Sequence, residues 1–336
     1  YEPQNHIHGD YEYINKKLDI ASKDPFCKGM AFWPEVSHSD TLMLEYFREN
    51  AWKPQNRGIV EIATRMCYNR YGDDAQKMLE IWMIFINTMK LPTKATMASF
   101  YNILDTNAVF LRMFQLKHEG QLDAEKCWAG FEDYEQNFVP DMKKVLFLVY
   151  HLPEKTYELP FVHRDVVDIL KTVVMKKLQY AFIKLSYSIL RWYRGKENAD
   201  QIKALMDYAE EMLDIFGDVL GLHEDNSMYY SLLDLKKNRE VNPYFESALK
   251  DNVINWYCRT SVYEAVKGVY KKEFQVFKEW MLDKLCSNDR ENADMSNFKK
   301  EEERILKEFK SIPLEEFHRN QKPDYKTVLE RLSAVF

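Results

Sequence analysis

Between Phe161 and Tyr193, Val166, Leu170, Val174, Leu178, Phe182, Leu185 and Ile189 recur every three to four residues, and neither Gly nor Pro interrupts them. Apolar residues at that spacing line one face of a helix, here about 50 Å long at 1.5 Å per residue. A helix of this length cannot be covered by a hairpin or a small sheet. It needs other long helices beside it, so the feature selects a mainly helical architecture. The punctuation agrees: 336 residues carry only 10 Gly and 11 Pro, as expected of long helices joined by short loops.

Further helical patterns lie on both sides. Leu42, Tyr46 and Phe47 lead to Ala51-Trp52-Lys53-Pro54, where Pro stops a helix. Ile59, Ile62, Ala63 and Met66 share the next face, closed at Gly72, and Asp73-Asp74 is read as the cap of an apolar helix from Met78 to Met89. Residues 94–138 are hard to read, and Pro140-Asp141 is taken as a helix start. After Tyr193 a second long helix turns Ile202, Leu205, Ala209, Met212 and Phe216 inward and its acidic residues outward. More helices follow over 229–235, 244–256 and 263–285, then a polar loop and two terminal helices.

Several function classes are disfavoured. A net charge of −6 with interleaved Lys and Asp/Glu gives no footprint for nucleic acid. Cys27, Cys67, Cys127, Cys258 and Cys286 are scattered, with neither disulfide nor metal-ligand spacing, so no metal site is expected. His6 and His8 lack a third partner nearby and are read as solvated or structural rather than as metal ligands. The longest apolar run, 145–152, falls short of a membrane span. No Asn-x-Ser/Thr sequon occurs, and the first residue is Tyr rather than Met, which is read as a trimmed chain. Phosphate loops, nucleophile elbows and nucleotide fingerprints are missing, and no cofactor is implied.

One stretch departs from the helical pattern. Cys27 to Trp33 reads as a short strand that reaches Pro34 and then a lone carboxylate, Glu35, before the turn residue His38 and a helix cap at Asp40. A carboxylate at a strand end suits glycoside hydrolysis, because the transition state builds positive charge at the anomeric carbon and a fixed anion stabilises or attacks it. Trp33, Trp52, Trp256 and Tyr263 have faces that suit sugar rings, and suit a helical core equally. No second carboxylate at the necessary spacing is evident.

Taken in order, these segments resemble the C-terminal half of glycoside hydrolase family 89, the α-N-acetylglucosaminidases. Gly29-Met-Ala-Phe-Trp-Pro-Glu35 is similar to a barrel-strand motif of that family, and Ile62-Ala-Thr-Arg-Met-Cys-Tyr-Asn-Arg-Tyr-Gly72 to its next helix. Arg164-Asp-Val-Val-Asp-Ile169 looks like a later helix start, and 244–256 like the helix that ends in Trp. The resemblance implies that residues 1–54 end a (β/α)8 catalytic barrel and that 55–336 form an all-helical C-terminal domain. It implies that Glu35 is the nucleophile of a retaining mechanism, with Trp33, His38, Trp256 and Tyr263 on the substrate. The acid/base Glu of the family sits on an earlier strand that this chain lacks, so the chain would pack on a missing N-terminal part of the same enzyme. The family also favours a secreted or periplasmic compartment. Tyr257-Cys258 and Val262 depart from the family's Gly and Asp, which leaves room for another sugar, as in α-glucuronidases. A non-catalytic helical interaction module is the reading from a different class.

Overall fold

The computed structural model describes residues 7, 11–30, 40–89, 124–238, 243–254, 261–290, 296–317 and 323–336. Among the described residues every regular element is helical and no strand occurs. Cys27–Met30, the described part of the expected strand, is irregular, and residues 31–39 lie outside the described set. The chain divides into two compact units, one of Tyr1–Thr93, Tyr134–Thr172 and Phe336, the other of Lys94–Asp133 and Val173–Val335. Pro54 falls inside the first of them.

The first unit holds α1 (Tyr11–Lys23), α2 (Thr41–Asn50), α3 (Ile59–Arg70), α4 (Ala75–Met89), most of α5 (Ala124–Tyr150), a single turn α6 (Glu154–Tyr157) and the start of α7 (Pro160–Tyr193). Leu42, Ile62, Ala63, Met78, Ile81, Phe85, Val145 and Val166 are among its buried apolar residues, all at 1% exposure or less. The α3 helix stops where Gly72 takes φ +54°, a left-handed conformation that only glycine adopts without a Cβ clash. Asp74 does not cap α4 as expected; it accepts the Thr156 hydroxyl at 2.5 Å. Pro140 does not begin a helix either. It lies inside α5, which runs unbroken from Ala124. A proline removes only one ladder hydrogen bond, and neighbouring turns carry the helix through.

The second unit contains the remainder of α7 with α8 (Ala199–Gly221), α9 (Met228–Asn238), α10 (Pro243–Val253), α11 (Tyr263–Ala265), α12 (Lys271–Ser287), α13 (Ser296–Ser311) and α14 (Tyr325–Ala334). The seven stripe positions of α7 are all buried, as their spacing predicts, but most of its other described side chains are buried as well. It is a central helix rather than an amphipathic one. On α8 the inward residue is Met206, fully buried, and not its half-buried neighbour Leu205.

The acids of α8 do not simply face water. Asp207 and Glu210 each lie 2.6 Å from Lys278, and Asp214 lies 2.6 Å from Lys271 and 2.7 Å from Lys267, which also reaches Asp218 at 2.9 Å. Ascending acids thus meet descending lysines, an antiparallel ladder between α8 and the helix that contains α12. Arg331 of α14 closes it on Asp214 and Asp218. At Gly217 an added Cβ would come within 2.4 Å of the Lys267 side chain, which would have to shift.

The ladder makes stability depend on pH. Burial alone would raise the Asp214 carboxyl, but Lys267, Lys271 and Arg331 outweigh it and hold the group well below the ordinary range; Glu210 is lowered in the same way by Lys278 and Gln275. A depressed folded-state value means that the contribution is complete above the unfolded carboxyl pKa, about 4, and is lost as pH falls through the depressed values. Urea midpoints measured at pH 7 and pH 3 should therefore differ, and Asp214→Asn should shrink that difference. An unchanged difference in the variant would remove Asp214 as its source.

Candidate functional site

Four of the expected site residues, Trp33, Glu35, His38 and Trp256, lie outside the described residues, as do His6 and His8. Tyr263 and the residues that flank the other positions are described. They fall in two places, one in each unit.

In the first unit the chain enters α2 through Asp40, whose side chain accepts the Met43 amide at 3.2 Å, the cap expected from sequence. Its backbone is unusual. N-cap residues ordinarily take extended conformations, but Asp40 sits at φ 58°, ψ 56°, the left-handed region, at a cost of about 1–3 kcal/mol for a non-glycine residue. Asp40 is buried, as is Tyr11, whose phenol is pushed well above its usual value by burial and by the Asp40 charge. The next residue, Thr41, donates its hydroxyl to Asp165 at 3.1 Å.

Asp165, on the first turns of α7, is 1% exposed and gathers four donors. Arg70 clamps it with Nε at 2.7 Å and Nη2 at 3.1 Å, Tyr71 donates its phenol at 2.8 Å, and Thr41 completes the set. Trp82 donates Nε1–H to the Tyr71 oxygen at 3.0 Å, and the Phe161 ring lies 4.6 Å from the Arg70 guanidinium. Burial and the Asp165 charge push the Tyr71 phenol far up. Burial alone would lower Arg70, but Asp165 more than compensates and its value is raised. Burial, with Asp165, also pushes the Cys67 thiol up to about 12, so this cysteine is unreactive. A carboxylate saturated with donors holds structure; it has no free lone pair with which to attack or take a proton.

The polar face of α7 continues. Lys171, fully buried, meets Asp168 at 2.6 Å, and the Thr172 hydroxyl donates to the Asp168 carbonyl and accepts the Ile7 amide at 3.0 Å. Through this bond Ile7 is held on α7.

In the second unit Tyr263 is the first residue of α11, half-buried, behind an extended Val262. Its neighbour Glu264 is 4% exposed and caps α9: Oε1 accepts the Ser227 hydroxyl at 2.5 Å and Oε2 the Met228 amide at 2.8 Å. Between α11 and α12 the helix makes a π turn, Val266–Tyr270. An inserted residue rotates everything beyond it by about 100°. Beyond the turn, Lys271 and Lys278 stand in the ladder with the acids of α8. Nearby, a groove of about 800 Å³ lies along α12 and α13, with Trp280 and the buried Phe298 and Ile305 in its walls. Lys272 bridges it to Glu308 at 2.9 Å, and Arg304 takes up Glu301 and Glu308.

Trp52, named from sequence as a stacking or core residue, is 88% exposed and belongs to no core. Among the described residues no group of three His, Cys, Asp or Glu is placed to hold a metal, and no helix is long and apolar enough to cross a membrane. Sequence reasoning missed Asp165 and Glu264 as organising residues. The signal for Asp165 was present: Asp165, Asp168, Lys171 and Thr172 interrupt an apolar helix with polar groups on neighbouring turns. For Glu264 no local signal existed. Comparison of the chain with protein families, curated proteins and solved structures finds no match.

Proposed function

We propose that this chain is part of a retaining exo-glycosidase that removes terminal α-linked N-acetylglucosamine from glycans, with Glu35 as nucleophile. The observation that carries the reading is the ordered resemblance of its segments to family 89. The contact of Arg70 and Tyr71 with Asp165 supports it, since it gives a physical reason for two of those segments to occur together. In this reading residues 1–54 close a (β/α)8 barrel, whose catalytic residues lie at the C-terminal ends of strands. Glu35 attacks the anomeric carbon as the leaving oxygen takes a proton from an acid/base carboxyl supplied upstream. Water, deprotonated by that same group, then releases the sugar from the ester. Trp33, His38, Trp256 and Tyr263 line the sugar, and the helical part packs on the N-terminal remainder of the enzyme. Neither a metal nor an organic cofactor takes part.

Two observations favour a second reading, a non-catalytic helical interaction module. The most firmly bonded buried acids, Asp165 and Glu264, serve structure, and Trp52 and Phe26 stand exposed at 88% and 89%. A panel of nitrophenyl glycosides, offered to the full-length protein, separates the alternatives. Release from the α-N-acetylglucosaminide is expected. Release from the α-glucuronide alone would move the specificity to that sugar, and turnover of none would leave the module.

A further inference from the structure

We infer that the groove between α12 and α13 is a docking site for a partner protein, and that it takes a positively charged amphipathic helix. The inference stands apart from the sugar chemistry and holds whether or not the chain cleaves glycans.

The shape of the groove selects a helix. Lys272, Val276, Glu279, Trp280 and Asp283 line it from α12, three or four residues apart, which places them on one face over three turns. Phe298, Glu301, Ile305 and Glu308 line it from α13 in the same way. Three turns are about 16 Å, the length of about eleven helical residues. Lys272 meets Glu308 at one end and Asp283 and Asn297 share the other, so the two helices run antiparallel. Their other sides are occupied. Lys278 of α12 reaches the acids of α8, and Phe309 of α13 lies against Gly268, where an added Cβ would come within 3.3 Å of its ring. The groove is the open seat beside this pair, and its floor is apolar: Phe298 and Ile305 are each 2% exposed, with Val276 and Trp280 half-buried. A helix laid there covers these residues with its own apolar stripe, and Trp280 is the kind of residue that anchors such contacts.

The charge of the occupant follows from the rim. Four carboxylates, Glu279, Asp283, Glu301 and Glu308, line the groove against two cations, Lys272 and Arg304. Both cations are engaged, Lys272 with Glu308 at 2.9 Å, and Arg304 with Glu301 at 2.8 Å and Glu308 at 3.1 Å. Indeed all four lysines of α12 have carboxylate partners, Lys271 on Asp214, Lys272 on Glu308, Lys278 on Glu210 and Lys284 on Asp289. Glu279 and Asp283 are the contrast: among the described residues neither pairs with a cation. They stand one turn apart, where like charges weaken a helix instead of supporting it. A lysine or arginine on the docked helix supplies the missing cation for both, while an acidic helix would add to the repulsion already present.

Two fluorescein-labelled probes test this by anisotropy on the full-length protein. One is a helical peptide of about fourteen residues, about four turns, with leucines at i, i+3, i+4 and i+7 and lysines elsewhere; the other carries glutamate in place of every lysine. The lysine peptide is expected to bind at least about tenfold more tightly than the glutamate peptide, and to weaken as salt rises. Glu279→Lys combined with Asp283→Lys should invert that preference, and Trp280→Ala should weaken the lysine peptide by about tenfold or more. Both acids are exposed, so the doubly reversed protein should melt within about 2 °C of the parent. If it melts lower, Glu279→Gln with Asp283→Asn, which keeps the shape, should remove the preference by itself. A lysine preference that survives these changes belongs to another part of an acidic chain and overturns the inference. So does equal binding of the two peptides, or binding of neither. A dimer of the parent, seen by sedimentation and split by the double reversal, would give the groove to a second copy of the chain and overturn it as well.

Discussion

Replacing Asp165 with alanine should destabilise the protein by about 3–5 kcal/mol. The magnitude comes from what is left behind. Arg70 loses both arms of its fork, and its side chain is 22% exposed, so water can rehydrate it only in part. Tyr71, 1% exposed, loses the acceptor of its phenol while Trp82 continues to donate to the same oxygen. Each uncompensated buried donor costs about 1–3 kcal/mol, more for a charged one. Asp165→Asn should fall between, because its amide oxygen still accepts one arm of Arg70 but its NH2 opposes the other. Tyr71→Phe removes two bonds, the one donated to Asp165 and the one accepted from the buried Trp82 Nε1–H, and should cost about 1–3 kcal/mol. Urea unfolding followed by helical circular dichroism gives the ordering. A loss below about 1 kcal/mol for Asp165→Ala would show that the four contacts do not act as a unit.

The same residue shows where sequence reading succeeds and where it stops. The stripe from Val166 to Ile189 was legible because burial on a helix writes a local period into the chain. Asp165 obeys no such period. With Asp168, Lys171 and Thr172 it visibly interrupts an apolar helix, but its partner Arg70 is 95 residues away and nothing local names it. The acids of α8 have the same difficulty: their outward direction was readable, but not that Lys267, Lys271 and Lys278 would stand opposite. The π turn has no signature at all, since Val-Lys-Gly-Val-Tyr is an ordinary helical sequence. Pro140 misled in the other direction, a strong local rule overridden by the helix around it. Of the candidate site, the cap at Asp40 was readable from its position before a helix. Its left-handed backbone was not, because aspartate is a favoured cap in the extended conformation too.

Glu35→Gln should abolish turnover in the full-length protein, with a fall in kcat of at least about 10³-fold, the scale on which nucleophile replacements act. Glutamine keeps the size and an oxygen at the same reach, so circular dichroism and melting should be unaffected. The neutral amide neither forms the glycosyl ester nor offers the negative charge that an oxocarbenium-like transition state requires. Substrate binding does not depend on the ester, so KM should change far less than kcat. A smaller side chain extends the test. In Glu35→Gly, azide can occupy the vacated space and attack the anomeric carbon while the upstream acid protonates the leaving oxygen. On the proposed retaining mechanism the product is then a β-glycosyl azide, inverted once from the α-linked substrate, where two inversions would give net retention. Recovery of turnover by azide with that stereochemistry identifies Glu35 as the group that attacks. Glu35→Gln activity within about tenfold of the parent would place the nucleophile elsewhere and return Glu35 to an ordinary acid at the end of an apolar run.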